Sequence, residues 1–165
     1  LKQAAKTYNF LTAHGIEQYG DLTAKIAEVQ AASGQAAEAL KDVEARLSDM
    51  AVLIKNITTY QKTKPVYDAY RKAKDRGSYR AAHERNIILH EAAVKAIKGA
   101  GISKLPDIAA LQTEYAKLQE RKEALYADYG KLKKQVKEYD VIKRNIDSIL
   151  KIERPREWKK EMERK

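Results

Sequence analysis

The sequence predicts an all-α fold: an elongated helical bundle of two long coiled-coil-like helices and shorter connecting helices. Three observations predict it. Helix-favouring residues dominate the composition, glycine and proline are scarce at seven and three, and two stretches carry apolar residues at heptad spacing. Charged residues make up 34% of the chain and aromatic residues 7%. Such a chain buries a narrow stripe along each helix rather than a thick core.

The first long helix is predicted over about 21–64, because apolar positions there alternate four and three residues apart. This first seam consists of Leu22, Ile26, Val29, Ser33, Ala36, Leu40, Val43, Leu47, Met50, Ile54 and Ile57. Small residues beside the seam widen the apolar face, which favours an intramolecular bundle of three or four helices over a dimeric zipper. We expect the helix to continue to about residue 76, with or without a kink at Pro65. The alternative is that a new helix starts there, with Pro65 in its first turn.

The second long helix is predicted over about 106–150 by the same spacing. This second seam consists of Ile108, Leu111, Tyr115, Leu118, Lys122, Leu125, Tyr129, Leu132, Val136, Tyr139, Lys143, Ile146 and Leu150. A period of about 3.5 residues implies left-handed supercoiling. The pattern leaves open whether the two long helices run parallel or antiparallel, and whether the protein is a monomer or a homodimer.

A phrase that begins with Gly-Ile and contains an aspartate precedes each seam. Gly15 and Gly101 fit the position just past a helix end, where positive φ costs glycine little. The isoleucine after each glycine supplies the apolar contact that accompanies such a cap. Asp21 and Asp107 fall in the opening of the next helix, where a carboxylate satisfies free N–H groups. The phrase therefore predicts a corner between helices, used twice.

Two shorter helices are predicted, over 1–13 and 79–98. The run Arg76-Gly77-Ser78 interrupts the helical pattern before the second of these, and Ser78 is a good N-cap residue. We therefore expect a break at this run, with Ser78 starting the helix that follows.

Residues 1–150 are predicted to form a single domain, followed by a charged, flexible tail over 151–165 with Trp158 as its apolar anchor. The absence of cysteine excludes disulfides and thiol catalysis and suits a reducing compartment. Apolar runs are too short for a membrane span or a signal peptide. Since the chain begins at Leu1 rather than Met, we expect it to be part of a longer protein.

The net charge of +10 is unevenly distributed along the chain. Residues 1–54 carry −2, residues 55–85 carry +6 and residues 151–165 carry +3. A basic segment behind an acidic one predicts a localised patch for a polyanion such as DNA. A solvated basic surface without a partner is the alternative.

Within the basic segment, aromatic and basic residues recur four and three apart at Tyr60, Lys64, Tyr67, Arg71 and Lys74, and so share one helix face. Tyrosine rings stack on bases and basic groups neutralise phosphate. The alternative is that the tyrosines pack at the end of the bundle, with the aliphatic parts of the lysine and arginine side chains lying over their rings. The predicted nucleic-acid-binding residues are Lys55, Tyr60, Lys62, Lys64, Tyr67, Tyr70, Arg71, Lys72, Lys74, Arg76, Arg80 and Arg85.

No motif for catalysis, metal or cofactor binding stands out. The three histidines are His14, His83 and His90, and the last two lie two helical turns apart, too far to share an ion without other ligands. The sequence contains no Gly-x-Ser-x-Gly and no glycine-rich phosphate loop. We therefore expect no enzyme activity, metal or cofactor in this chain.

Three phrases resemble the C-terminal helical region of relaxases, the mobilization nucleases of bacterial conjugative elements such as plasmids and conjugative transposons. They are "AVLIKNITTYQKTKPVYDAYRKAKD", "YRAAHERNIILHEAAVKAIK" and "LYADYGKLKKQVKEYDVIKRNIDSIL". The resemblance covers about residues 11–150, and the interruption at Arg76-Gly77-Ser78 departs from it. It carries no catalytic motif, since the nucleophilic tyrosine and the metal-binding histidines of these proteins belong to a separate nuclease domain.

The resemblance implies a non-catalytic accessory domain of a relaxase, working in the bacterial cytoplasm during conjugation. One expected role is auxiliary DNA contact without sequence specificity. The alternative is a coiled-coil interaction or spacer module that docks the relaxase to secretion or coupling proteins of the transfer machinery.

Overall fold

The structure, a computed structural model, describes residues 2–163, with side chains described for 2–151. Five helices follow one another: α1 (Lys2–Ala13), α2 (Tyr19–Lys72), α3 (Arg76–Ala82), α4 (Glu84–Gly99) and α5 (Ile108–Glu163). The described residues contain no strand. The prediction of an all-α protein with two long helices and shorter connecting ones is confirmed.

The chain divides into two compact units. Unit 1 comprises residues 1–40 and 124–165, and unit 2 comprises residues 41–123. Each unit therefore contains a part of α2 and a part of α5, with α1 in unit 1 and α3 and α4 in unit 2. The sequence predicts one domain over 1–150, whereas the packing groups these residues into two units.

Both predicted seams lie on the covered faces of their helices. Every position of the first seam is buried or half-buried, and Leu22 and Ile57 are completely buried. Every position of the second seam except Leu150 is also buried or half-buried. Heptad spacing therefore identified the faces of α2 and α5 that bury apolar area, the main stabilising contribution to such a fold.

The core of unit 1 joins three helical segments and the first corner. Its buried members are Ile16, Leu22, Tyr139 and Ile142, with Phe10, Leu11, Ile26, Val29 and Ile146 packed against them. The edge of the Phe10 ring meets Tyr139 at 5.1 Å between centroids. Asn145 donates a hydrogen bond to the hydroxyl of the buried Thr7 at 3.3 Å, which satisfies a polar group at the edge of this core.

In unit 2, α2 and α5 run antiparallel. Glu44 of α2 pairs with Lys122 of α5 at 3.7 Å, and Arg46 pairs with Glu114 at 2.6 Å. A higher residue number on α2 therefore pairs with a lower residue number on α5. This resolves, within unit 2, the direction that the sequence left open.

The first corner ends α1 with two main-chain hydrogen bonds. Gly15 has φ +65°, and its N–H donates to the Thr12 carbonyl at 3.3 Å. The Ile16 N–H donates to the Leu11 carbonyl at 2.9 Å. These are the two bonds of a Schellman cap, which requires left-handed backbone at the glycine and brings the following apolar residue back onto the helix.

The second corner repeats this geometry at the end of α4. Gly101 has φ +77°, and its N–H donates to the Lys98 carbonyl at 3.0 Å. The Ile102 N–H donates to the Ile97 carbonyl at 3.4 Å. The repeated phrase therefore builds the same cap twice, once in each unit.

The two aspartates of the phrase act differently in the helices that follow. Asp21 lies in the first turn of α2 and accepts a bond from the Gln18 N–H at 3.2 Å. Asp107 immediately precedes α5 and accepts from the Ala109 N–H at 3.3 Å. Both carboxylates satisfy N–H groups at a helix start, as predicted.

The boundaries around α3 differ from those predicted. Asp75, not Ser78, is the N-cap: its carboxylate accepts from the Ser78 N–H at 3.1 Å, and the Ser78 hydroxyl donates to it at 2.7 Å. The helix predicted over 79–98 is two helices, because His83 leaves helical geometry with φ −125° and ψ 26°. The His83 N–H still bonds to the carbonyls of Tyr79 and Arg80, which closes α3 before α4 begins.

The long helices also end at other residues than expected. α2 passes through Pro65 and ends at Lys72, and α5 continues to Glu163. The side chains of 152–165, Trp158 among them, lie outside the described residues. The predicted role of Trp158 as an anchor and the predicted flexibility of the tail therefore stay predictions. Across the described part of the chain, no helix combines the length and the apolar character needed to cross a bilayer.

Candidate nucleic-acid interface

An aromatic cluster joins α2 to α4 in unit 2. The His90 ring stacks on Tyr60 at 4.8 Å and on Tyr67 at 4.4 Å between centroids. The two tyrosines lie seven residues apart on α2, a rise of about 10.5 Å, which leaves room for one ring between them. His90 therefore fills the space between the two tyrosine rings, and only 3% of it is exposed.

A hydrogen-bond chain fixes the orientation of this histidine. Thr63 Oγ1 lies 2.9 Å from His90 Nδ1, and the same hydroxyl donates to the Thr59 carbonyl at 2.7 Å. Because a hydroxyl has one proton, the oxygen of Thr63 accepts from Nδ1–H. The neutral ring therefore carries its proton on Nδ1 and an unprotonated acceptor at Nε2.

The surroundings of His90 favour its neutral form. Burial lowers the pKa of His90, and this outweighs the opposite effects of Asp68, the Tyr60 carbonyl and Glu91. The positive charge of Lys64 acts in the same direction as burial. At neutral pH, the imidazole is therefore an uncharged ring within the aromatic stack.

A groove of about 840 Å³ lies above this stack, between α2, α4 and the connection that follows α4. Four exposed basic side chains line it, two from each helix: Lys64 and Arg71 from α2, and Lys95 and Lys98 from α4. Its two acidic side chains are Asp68 and Glu91. Basic groups on two facing helices can neutralise the phosphates of one polyanion.

The groove belongs to the most basic part of the chain. Residues 55–105 contain twelve basic and four acidic side chains, a net charge of +8 out of the chain's +10. Two of the acidic groups have local partners: Asp75 caps α3, and Glu91 pairs with Arg80 at 2.8 Å. Hydrogen bonds from Ser78 lower the pKa of Asp75, and the bond from Arg80 lowers that of Glu91. Both carboxylates are therefore held in the ionised form, and the charge of Glu91 is directed at Arg80.

The structure brings together four of the five residues of the predicted stripe. Tyr60, Lys64, Tyr67 and Arg71 line the groove, whereas Lys74 lies beyond the end of α2 and does not. The other exposed basic residues predicted for the interface lie outside the groove, on α2, α3 and α4; they are Lys55, Lys62, Lys72, Arg76 and Arg85.

The two remaining predicted residues pack rather than face the groove. Arg80 lies over the Tyr70 ring at 5.8 Å and donates two bonds to Glu91, which raise the pKa of Arg80. Tyr70 also stacks with Tyr79 at 6.5 Å. A basic side chain over a tyrosine is the packing that the alternative interpretation of the stripe describes.

Sequence reasoning missed the half of the groove that α4 provides. Lys95 and Lys98 were not among the predicted residues, nor were His90 and Glu91. Glu91, Lys95 and Lys98 are spaced four and three apart, so the signal used on α2 was present on α4 as well. The spacing does not indicate that these faces of α2 and α4 lie opposite each other, because that depends on tertiary packing.

Comparisons with known proteins give no indication of a family or a function for this chain. No protein-family model, no curated protein and no solved structure matches the chain. Within the described residues, no group of three or more His, Asp and Glu side chains could hold a metal ion.

Proposed function

We propose that this chain contacts nucleic acid through the basic side chains of unit 2, without sequence specificity and without catalysing a reaction on it. The observation that carries the proposal is the charge of +8 over residues 55–105, with basic side chains from two helices lining one groove. Phosphate contacts of this kind supply most of the affinity in non-specific binding. In a relaxase, which three phrases of the sequence resemble, the contact would be auxiliary to a separate nuclease domain.

The test is binding of single- and double-stranded oligonucleotides at two salt concentrations. We expect the slope of log affinity against log salt to fall by about one unit for each phosphate contact removed. The variant Lys64→Glu/Arg71→Glu/Lys98→Glu removes three groove charges. Binding without salt dependence, or no binding at all, would contradict the proposal.

A matched control is available in unit 1. Lys131, Lys134 and Lys137 are exposed on α5, and changing all three to Glu alters the net charge by the same amount. We expect this variant to retain most of the affinity for oligonucleotides. Equal losses in the two variants would indicate a response to net charge alone, not to the groove.

The alternative function, docking through a coiled-coil surface to transfer proteins, has weaker support. Positions such as Leu47 and Met50 of the first seam are buried within the chain, so they offer no free surface to a partner helix. A pull-down with the coupling protein, comparing wild type with Leu118→Asp, discriminates between the two functions. Capture of that protein without oligonucleotide binding would favour docking.

A further inference from the structure

We propose that His90 is part of the polyanion site and that binding of a phosphate group at the groove takes up one proton at its Nε2 atom. The inference rests on the proposed function and specifies how the same site is regulated. Three observations carry it: the position of His90 in the groove, its hydrogen bond to Thr63 through Nδ1, and the charges that surround it.

Nε2 of His90 reaches the groove. Among the described residues, every buried side-chain nitrogen or oxygen has a hydrogen-bond partner. His90 bonds through Nδ1 to Thr63, and Nε2 has no partner within the described part of the protein. Since Nε2 is therefore not fully buried, and since His90 lines the groove, this nitrogen faces it.

A phosphate oxygen and a neutral Nε2 are both acceptors, so they cannot share a hydrogen bond. Once Nε2 takes a proton from solvent, the imidazolium donates from Nε2 to the phosphate and from Nδ1 to Thr63, without turning the ring. The tyrosine faces on both sides favour a cation at this position. The orientation of the ring therefore suits the charged form as well as the neutral one. Burial disfavours the charged form as long as no anion is bound.

The charged groups that face His90 come from both helices packed around it. Lys64, Asp68 and Arg71 of α2 share the groove with it, as do Glu91, Lys95 and Lys98 of α4. Of these, Lys64, Asp68 and Glu91 act on its pKa. The connection after α4 contributes only uncharged residues to the groove. A bound phosphate adds negative charge beside Asp68 and Glu91, and this stabilises the imidazolium further. By linkage, a ligand that raises the pKa of His90 must bind more tightly as the pH falls.

The first test is a proton NMR titration of the histidine ring signals, with and without pyrophosphate as the probe. The chain has three histidines, so the spectrum is simple, and the signal absent from His90→Gln assigns this one. We expect pyrophosphate to raise the titration midpoint of His90. An unchanged His90 midpoint at saturating pyrophosphate, or no pyrophosphate binding at about pH 5.5, would overturn the inference.

The second test compares oligonucleotide affinity at about pH 7.5 and about pH 5.5, at constant ionic strength, because these values bracket the ordinary range of histidine. We expect wild type to gain several-fold more affinity at the lower pH than His90→Gln does, because only wild type can charge a histidine at this position. His83→Gln, altered at the exposed junction of α3 and α4, should behave as wild type.

The two proposals fail separately. Salt-dependent oligonucleotide binding with the same pH response in wild type and His90→Gln refutes the role of His90 and leaves the proposed function standing. A raised His90 midpoint with pyrophosphate, but no oligonucleotide binding at either pH, supports the phosphate site and refutes the nucleic-acid function. If His90→Gln does not fold, His14→Gln and His83→Gln assign the His90 signal by elimination, and the titration of the wild-type protein decides.

Discussion

Units 1 and 2 are built from pieces of the same two long helices, yet their charges differ. Unit 1 carries sixteen basic and twelve acidic side chains, a net charge of +4, of which residues 151–165 supply +3. Unit 2 carries seventeen basic and eleven acidic side chains, a net charge of +6. Because both units bury the same kind of seam, the extra charge of unit 2 is not needed to form the fold. It is the part of the sequence that calls for a functional explanation.

The grooves of the two units differ in the same way. Unit 1 has a groove of about 360 Å³ whose wall is largely apolar and includes Leu11, Ile146 and Leu150. The groove of unit 2 is larger and lined by basic and aromatic side chains. The comparison shows that one helical framework supports an apolar surface in one unit and a charged surface in the other.

The largest expected effect concerns the cores, where the two units should behave alike. Leu22 in unit 1 and Ile87 in unit 2 are completely buried, so changing either to Ala should lower the free energy of unfolding by about 2–5 kcal/mol. Denaturant unfolding measures this. The control is Val52→Ala, at a side chain that is 57% exposed, with a change within about 0.5 kcal/mol. A core substitution as mild as the control would contradict the assignment of that core.

The repeated corner provides a matched pair of substitutions. Gly15→Ala and Gly101→Ala should each cost about 1–2 kcal/mol, because alanine is strained at positive φ. An added Cβ meets nothing within 4 Å at either position, so the backbone alone sets the cost. Gly130→Ala, in helical backbone of α5, should instead stabilise the protein by about 0.5–1 kcal/mol. Clearly unequal costs at the two corners would show that they are not equivalent.

The pH dependence of stability should report the buried histidine of unit 2. Because burial lowers the pKa of His90, the unfolded chain binds more protons than the folded one just below the ordinary histidine pKa of about 6.5. Stability should therefore be highest above that pH and fall as the pH drops towards the lowered value in the folded protein. His90→Gln should flatten this dependence. Denaturation midpoints measured across this window, without phosphate, test the prediction.

The smallest effect is expected for the exposed ion pair of unit 2. Arg46 and Glu114 are 64% and 46% exposed, so Arg46→Ala should cost less than about 1 kcal/mol. The difference from wild type should shrink further as salt screens the pair. A larger loss that persists in high salt would mean that the Arg46 side chain contributes through packing.

The regular parts of the fold could be predicted from the sequence because they depend on local spacing. The two seams identified the covered faces of α2 and α5, and the glycines of the repeated phrase identified both corners. The start of α3 was missed because Asp75 outcompetes Ser78: its carboxylate accepts both the main-chain and the hydroxyl hydrogen of that serine. Two good capping residues three positions apart cannot be ranked from the sequence alone.

Only the α2 side of the groove could be predicted from the sequence, for a related reason. The stripe on α2 follows from spacing within one helix, whereas the groove requires Lys95 and Lys98 to face it from α4. The role of His90 depends on Thr63, 27 residues earlier in the chain. Contacts between helices arise from tertiary packing, and no local rule of composition or period specifies them.

Each corner closes within six consecutive residues through two main-chain hydrogen bonds. Such a reversal needs no distant segment, so α1 with α2, and α4 with α5, can turn back on themselves early, while the remainder of the chain is still unstructured. The two repeats of one short phrase thereby shorten the conformational search at two places at once. The pairings that are more distant in the sequence, α2 with α5 and α1 with α5, are then the slower ones to form.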